Sequence, residues 1–260
     1  MRGAATAEAQ GTAPKVLRYA MRVAETGFDP AQISDLYSST LCANIFDALY
    51  EYEFLARPVR LRSNTAAALP EASADFKTFT IRVKPGIYFA DDPAFKGVKR
   101  ELTAADYVYS IKRHFDPRWK SPTYTSLNNN RILGLDEVRQ AALRDKKPFD
   151  YDTQVEGLRA LDRYTIQFKL AEPNPRFTDE LSDPARTGAV AREVVELYGD
   201  RVMSTRSGRD RTGSPSGGAA PGFRSRRTRT TATSSIRRTR RPTTPWRRPR
   251  SSDSLAASCR

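Results

Sequence analysis

The single histidine of this 260-residue sequence, His114, limits the reactions the chain can run. A Ser-His-Asp triad, a Cys-His dyad or a zinc-binding HExxH helix each needs an imidazole, and the motifs with two histidines cannot be built at all. His114 closes a helical run beside Phe115, a position expected of a half-buried packing residue. The paired acids of "ADDP", Asp91 and Asp92, have the side chains of an acid–base pair or a cation site, but adjacent acids before proline more often form a solvated turn. Cys42 and Cys259 have no metal-ligand spacing and are expected as free thiols. No phosphate-cradling glycine loop is present. The expectation is therefore no catalytic residue, no cofactor and no metal: not an enzyme.

Charge supplies the next signal. The formal net charge is +14, and +13 of it lies in Ser204–Arg260, which holds 15 arginines, no lysine and only Asp210 and Asp253 as acids. The first 203 residues carry 29 basic and 28 acidic side chains, close to neutrality. Polyanions are the partners such a tail would draw, so a nucleic-acid-binding protein using residues 205–260 is the competing function class. With Phe223, Ile236, Trp246 and Leu255 as its large apolar residues, the tail is expected to be disordered. No run of 18 apolar residues occurs, so no membrane-spanning segment is expected. Residues 1–14, "MRGAATAEAQGTAP", lack the apolar centre of a signal peptide, although Ala7-Glu8-Ala9 fits a cleavage pattern; a leader or the stub of one is expected.

The elements that would position any site are legible as periodicities. "KVLRYAMRV" (15–23) reads as a strand, and "SSTLCANIFDALYEY" as a helix with Leu41, Ile45 and Leu49 on one face behind Ser38, Ser39 or Thr40 as N-cap. "KTFTIRV" alternates Phe79, Ile81 and Val83, and "KPG" is expected to turn it into a hairpin with "IYF". "LTAADYVYSIKRHF" predicts a helix with Thr103 as N-cap, Asp106 completing an acidic capping box, and Asp116-Pro117 as its stop. Tyr107 and Tyr109 point to different faces of it, one packing and one at the surface. "YTIQFKL" is a second alternating strand, and "AREVVELYG" a helix closed by Gly199. Strands and helices mix without a βαβ rhythm or repeat.

Five segments in order carry a resemblance: "FDPAQISDLYSSTLCANIFDALYEY", "ALPEASADFKTFTIRVKPGIYFADDPAFKG", "RELTAADYVYSIKRHFDP", "LRALDRYTIQFKL" and "AREVVELYGD". Together they resemble the family 5 extracellular solute-binding proteins, the peptide receptors of ABC importers, over roughly Lys15–Met203. The resemblance implies a mixed α/β fold (α+β in layout), here part of the N-terminal lobe of a two-lobed periplasmic-binding-protein-like receptor. The implied division is 15–47 as the start of the first lobe, 48–172 as an inserted smaller subdomain and 173–203 as the return to the first lobe. The implied cargo is an extended peptide read through its main chain. Ser34, Asp35 and Leu36 correspond to the segment contacting the ligand backbone, and Thr123 and Tyr124 to a loop giving an aromatic contact. A membrane permease is the implied partner, a monomer the expected state, and the periplasm or cell surface the expected location.

The same resemblance bears on the tail. The family's continuation after "YGD" contains stretches such as His-Pro-Val-Gly-Thr-Gly-Pro-Tyr-Arg-Leu-Ala-Glu-Trp-Arg. Written in GC-rich codons and read one base later, that stretch gives Thr205–Gly218 without a mismatch. Residues 204–260 are thus expected to be an out-of-frame translation, and the chain a truncated, binding-deficient form of the receptor.

Overall fold

The structure, a computed structural model, describes residues 21–204, which fall in one compact unit. The tail from Thr205 and the first 20 residues lie outside the described part, and with them most of the strand expected over 15–23; Met21–Val23 are irregular.

The first helix, α1 (Leu36–Ile45), starts two residues before the earliest cap expected from the sequence. Asp35 caps it, its Oδ1 accepting the Ser38 amide at 2.8 Å, so Ser38 becomes a third-position helical residue rather than the cap. α1 stops at Phe46, and Leu49 does not continue its face: the chain crosses through Phe46–Leu49 into β1 (Tyr50–Tyr52), paired antiparallel with β2 (Leu61–Ser63). A four-stranded antiparallel sheet follows, built from β3 (Glu71–Ala72), β4 (Thr78–Arg82), β5 (Leu158–Ala160) and β6 (Thr165–Lys169) in the order β3-β4-β6-β5. The alternation of "TFTIR" and "TIQFK" sets the register: Phe79 stands opposite Phe168 and Ile81 opposite Ile166, all buried on one face.

The hairpin expected from "KPG" does not form. β3 and β6 occupy both edges of β4, leaving no free ladder for "IYF". That run pairs instead with residues 100–102, through Phe89 N–H to Arg100 O (2.9 Å) and Leu102 N–H to Ile87 O (2.8 Å).

The buried face of the sheet is covered by α2 (Ala104–Phe115), the helix the capping box predicts: the Asp106 carboxylate takes both the Thr103 amide (2.7 Å) and hydroxyl (2.8 Å). α3 (Tyr124–Asn128), α4 (Leu135–Asp145), α5 (Phe177–Glu180), α6 (Pro184–Thr187) and α7 (Arg192–Tyr198) complete the described α-helices, with Gly199 at φ +52° ending α7. Two apolar clusters result. The larger joins the sheet, α2 and Leu135; the smaller joins Phe28, Ile33, α1, Val190, Val195 and Val202. Tyr107 belongs to the first and Tyr109 to the second, so the expected surface role of one tyrosine is wrong: both are buried, Tyr109 with its ring 4.9 Å from that of Tyr151.

Candidate functional site

Ser34 follows a tight turn and precedes α1. It is exposed, and among the described residues no backbone hydrogen bond uses its N–H or C=O. Leu36 is 75% exposed, an apolar side chain standing open at the start of a helix. Asp35 between them is engaged on both oxygens, Oδ1 by the Ser38 amide and Oδ2 by the Thr26 hydroxyl (2.6 Å). Slight burial opposes its charge, but these donors prevail and hold its pKa down at about 2. The carboxylate is thus a fixed cap, and Ser34 and Leu36 are what the segment presents outward.

Thr123 and Tyr124 sit at the N-terminus of α3. The Thr123 hydroxyl lies 2.6 Å from His114 Nδ1 and 3.0 Å from the Ser121 hydroxyl. The Tyr124 ring packs edge-on to Phe115 (5.4 Å) beneath the Arg139 guanidinium (4.1 Å), and its hydroxyl donates to Asp136 at 2.6 Å. Burial, and then the Asp136 acceptor, raises its pKa. No hydrogen bond or ion pair joins the Ser34–Leu36 group to the Thr123–Tyr124 group among the described residues. They are connected through α2 and through α6, which packs on α1.

Behind them lie residues the sequence did not single out. Arg113 and Asp29 form a two-point ion pair, 2.6 and 2.7 Å, with side chains 1% and 0% exposed. Burial alone would raise the Asp29 pKa; the guanidinium beside it overrides that and holds it low. The Trp119 ring covers Arg113 at 4.6 Å. "GFDP" reads locally as a helix breaker and Arg113 as one more charged helical residue; their partnership across 84 positions left no signal. His114 is fully buried rather than half-buried. Asp91 and Asp92 form the expected turn: Asp91 pairs with Lys99 at the surface (2.8 Å), and Asp92 accepts the Ala94 amide (2.9 Å). Cys42 is a buried free thiol, its pKa pushed up to about 12 by burial first and then by Asp29 and Asp35. Among the described residues no group of histidine, cysteine and acidic side chains has a metal-binding arrangement. A groove of about 360 Å³ lies against α4, floored by Val138, Ala141 and Pro148. None of the five expected contact residues lines it.

The profile of the bacterial extracellular solute-binding proteins, family 5 (middle), matches residues 60–207, more than half of the sequence. This chain belongs to that family. Among curated family 5 relatives, the periplasmic oligopeptide-binding protein OppA of Escherichia coli is 28% identical over 175 residues, covering 66% of this chain and 28% of that protein. The dipeptide-binding protein of Lactococcus lactis is 24% identical over 188 residues, 71% of this chain and 30% of its own. Solved structures show the same fold: the peptide-binding pheromone receptor PrgZ at TM-score 0.58 and 24% identity, over 76% of this chain and 35% of that one, and Haemophilus influenzae OppA in complex with the peptide RPPGFSPFR at 0.55 and 22%, over 69% and 31%. The family 5 chain described here spans about a third of the length of these relatives, and its fold is the mixed α/β fold of part of theirs. No helix among its described residues is long and apolar enough to cross a membrane.

Proposed function

We propose that this family 5 protein contributes the peptide-contacting face of a solute receptor that delivers peptides to an ABC permease outside the cytoplasmic membrane. The observation that carries the reading is the exposed residue Ser34, whose N–H and C=O have no backbone partner among the described residues, beside the open side chain of Leu36. An extended peptide pairing its backbone there is read largely independently of its sequence, with Leu36 and the edge of Tyr124 as side-chain contacts. The same reading divides the chain into first-lobe segments 15–47 and 173–203 and a smaller subdomain over 48–172, a boundary both apolar clusters cross: Phe177 and Val194 join the larger, Tyr109 and Trp119 the smaller.

Contacts from a second lobe are not among the described residues, so affinity here is a fraction of a complete receptor's. A micromolar receptor, worth about 8 kcal/mol, retains about 4 kcal/mol on half its contacts, a millimolar dissociation constant. Titrating the chain with trialanine at millimolar concentration and following amide NMR shifts tests this. Shifts centred on 33–36 and 123–125 are expected. Shifts elsewhere refute the site, and micromolar binding refutes the two-lobe division of affinity.

The tail is proposed to be an out-of-frame translation of the family's continuation. The family match ends at residue 207, three residues beyond Ser204, which supports that reading over a nucleic-acid-binding function.

A further inference from the structure

We propose that the adjacent residues Arg113 and His114 are positioning residues that fix the two peptide-contact segments to one turn of α2, Arg113 acting through Asp29 on Ser34–Leu36 and His114 acting on Thr123–Tyr124. The proposal rests on the peptide-binding reading above. Neighbouring residues on a helix point about 100° apart, so a single turn reaches two separate segments of chain.

On one side, each Asp29 oxygen takes one guanidinium nitrogen of Arg113 and one donor from the turn that leads to Ser34: Oδ1 the Ala31 amide (3.2 Å), Oδ2 the Gln32 side-chain amide (2.6 Å). The Asp29 carbonyl takes the Gln32 and Ile33 amides at 2.9 and 3.2 Å. Every residue from Asp29 to Ile33 but Pro30 is thus tied to the carboxylate or carbonyl of Asp29, and Ser34 follows the last of them. Trp119, stacked on the guanidinium, donates its indole N–H to Tyr151 (2.9 Å), whose hydroxyl donates to Asp116 (2.6 Å), so the arginine has a fixed wall behind it.

On the other side, His114 Nε2 lies 2.6 Å from the Arg186 carbonyl. A carbonyl only accepts, so Nε2 carries the hydrogen and Nδ1 is left as an acceptor. It faces the hydroxyls of Ser121 (2.8 Å) and Thr123 (2.6 Å), which hold the start of α3 against α2. A buried ion pair is a poor way to gain stability, since apolar residues of similar volume often do as well, but its two-point geometry fixes direction in a way apolar packing does not.

Amide hydrogen exchange on the full 260-residue chain tests the proposal segment by segment. His114→Gln keeps a donor for Arg186 and removes the Nδ1 acceptor; exchange over 121–125 is expected to quicken about tenfold, with 29–36 changed less than about threefold. His114→Asn places an oxygen near the lost acceptor and is expected to bring 121–125 back to within about threefold. Arg113→Lys keeps the charge without the two-point bond and is expected to give the reverse pattern, 29–36 quickened about tenfold and 121–125 little changed. Should that variant not fold, Asp29→Leu with Arg113→Met removes both charges together and is expected to show the same local loosening. Even acceleration along the whole chain, or protection unchanged in the named segments, makes Arg113 and His114 ordinary stabilisers and overturns the proposal. The trialanine titration separates the two readings. If the exchange pattern holds but the unsubstituted chain shows no peptide shifts at these segments, the positioning stands and the peptide site fails.

Discussion

The His114 imidazole is held neutral, its pKa brought down to about 4, by burial first and by the neighbouring Arg113 charge second. In the unfolded chain the same ring titrates near its ordinary value of 6.5. Between those two values the unfolded state binds more protons than the folded one, so stability rises with pH through that window, is fully present above it and flat below it for this group. A difference of that size corresponds to about 3 kcal/mol. Denaturant unfolding measured from pH 4 to 7 is expected to show the slope, and His114→Asn is expected to remove it. A slope unchanged in the variant would assign the acid sensitivity to the carboxylates, of which Asp29 and Asp35 also lose stability on protonation at lower pH. Neither the burial of His114 nor its partners was visible in the sequence, because Ser121 and Thr123 reach it from the stretch before α3 and Arg186 from α6, 72 residues on.

The capping of α2, the alternation of β4 and β6 and the stop at Gly199 were read correctly because each depends on residues within one element. β4's hairpin was read wrongly because strand partners are chosen by the whole sheet. β6 arrives from more than 80 residues away and buries Ile166 and Phe168 against Ile81 and Phe79, which outweighs the short local turn. The join between β6 and the residues before α4 is equally non-local, and it depends on Gly157. Its amide donates to Leu133 O (2.8 Å) and its carbonyl accepts from Lys169 (2.9 Å). A Cβ there would collide with the Leu133 backbone and stand 2.7 Å from the Lys169 carbonyl. Since backbone cannot move aside as a side-chain tip can, Gly157→Ala is expected to destabilise by about 2 kcal/mol or more, read as a lower denaturation midpoint. A change under about 0.5 kcal/mol would mean the β5–β6 edge adjusts freely.

For the molecule as a whole, charge is divided unevenly along the chain: 15 of its arginines follow Ser204, while the first 203 residues are nearly neutral. If the tail is out of frame, the other reading of its coding DNA opens into ordinary strand and helix patterns from about codon 204; stop codons within a few dozen positions would refute this. Whatever its origin, a tail of this charge is expected to attract polyanions. DNA binding by the chain is expected to be indifferent to sequence, to fall about a thousandfold or more between 50 and 200 mM salt, and to vanish on deletion of 205–260. Sequence-selective binding that persists at the higher salt would instead favour a nucleic-acid function.

The sequence by itself determined the helices and strands whose caps and periodicities are local, the absence of an imidazole pair for catalysis, the separation of charge, and a family resemblance over the body that the profile match places in family 5. Tertiary structure decided what those elements meet: that Asp35 caps α1, that β4 sits between β3 and β6, and that Asp29, Trp119, Thr123 and Arg186 converge on one turn of α2. Local signals survive in sequence because their partners lie within a few residues. A buried pair separated by 84 residues is chosen by the packing around it: burial makes leaving either charge alone costly, but nothing near either residue names its partner.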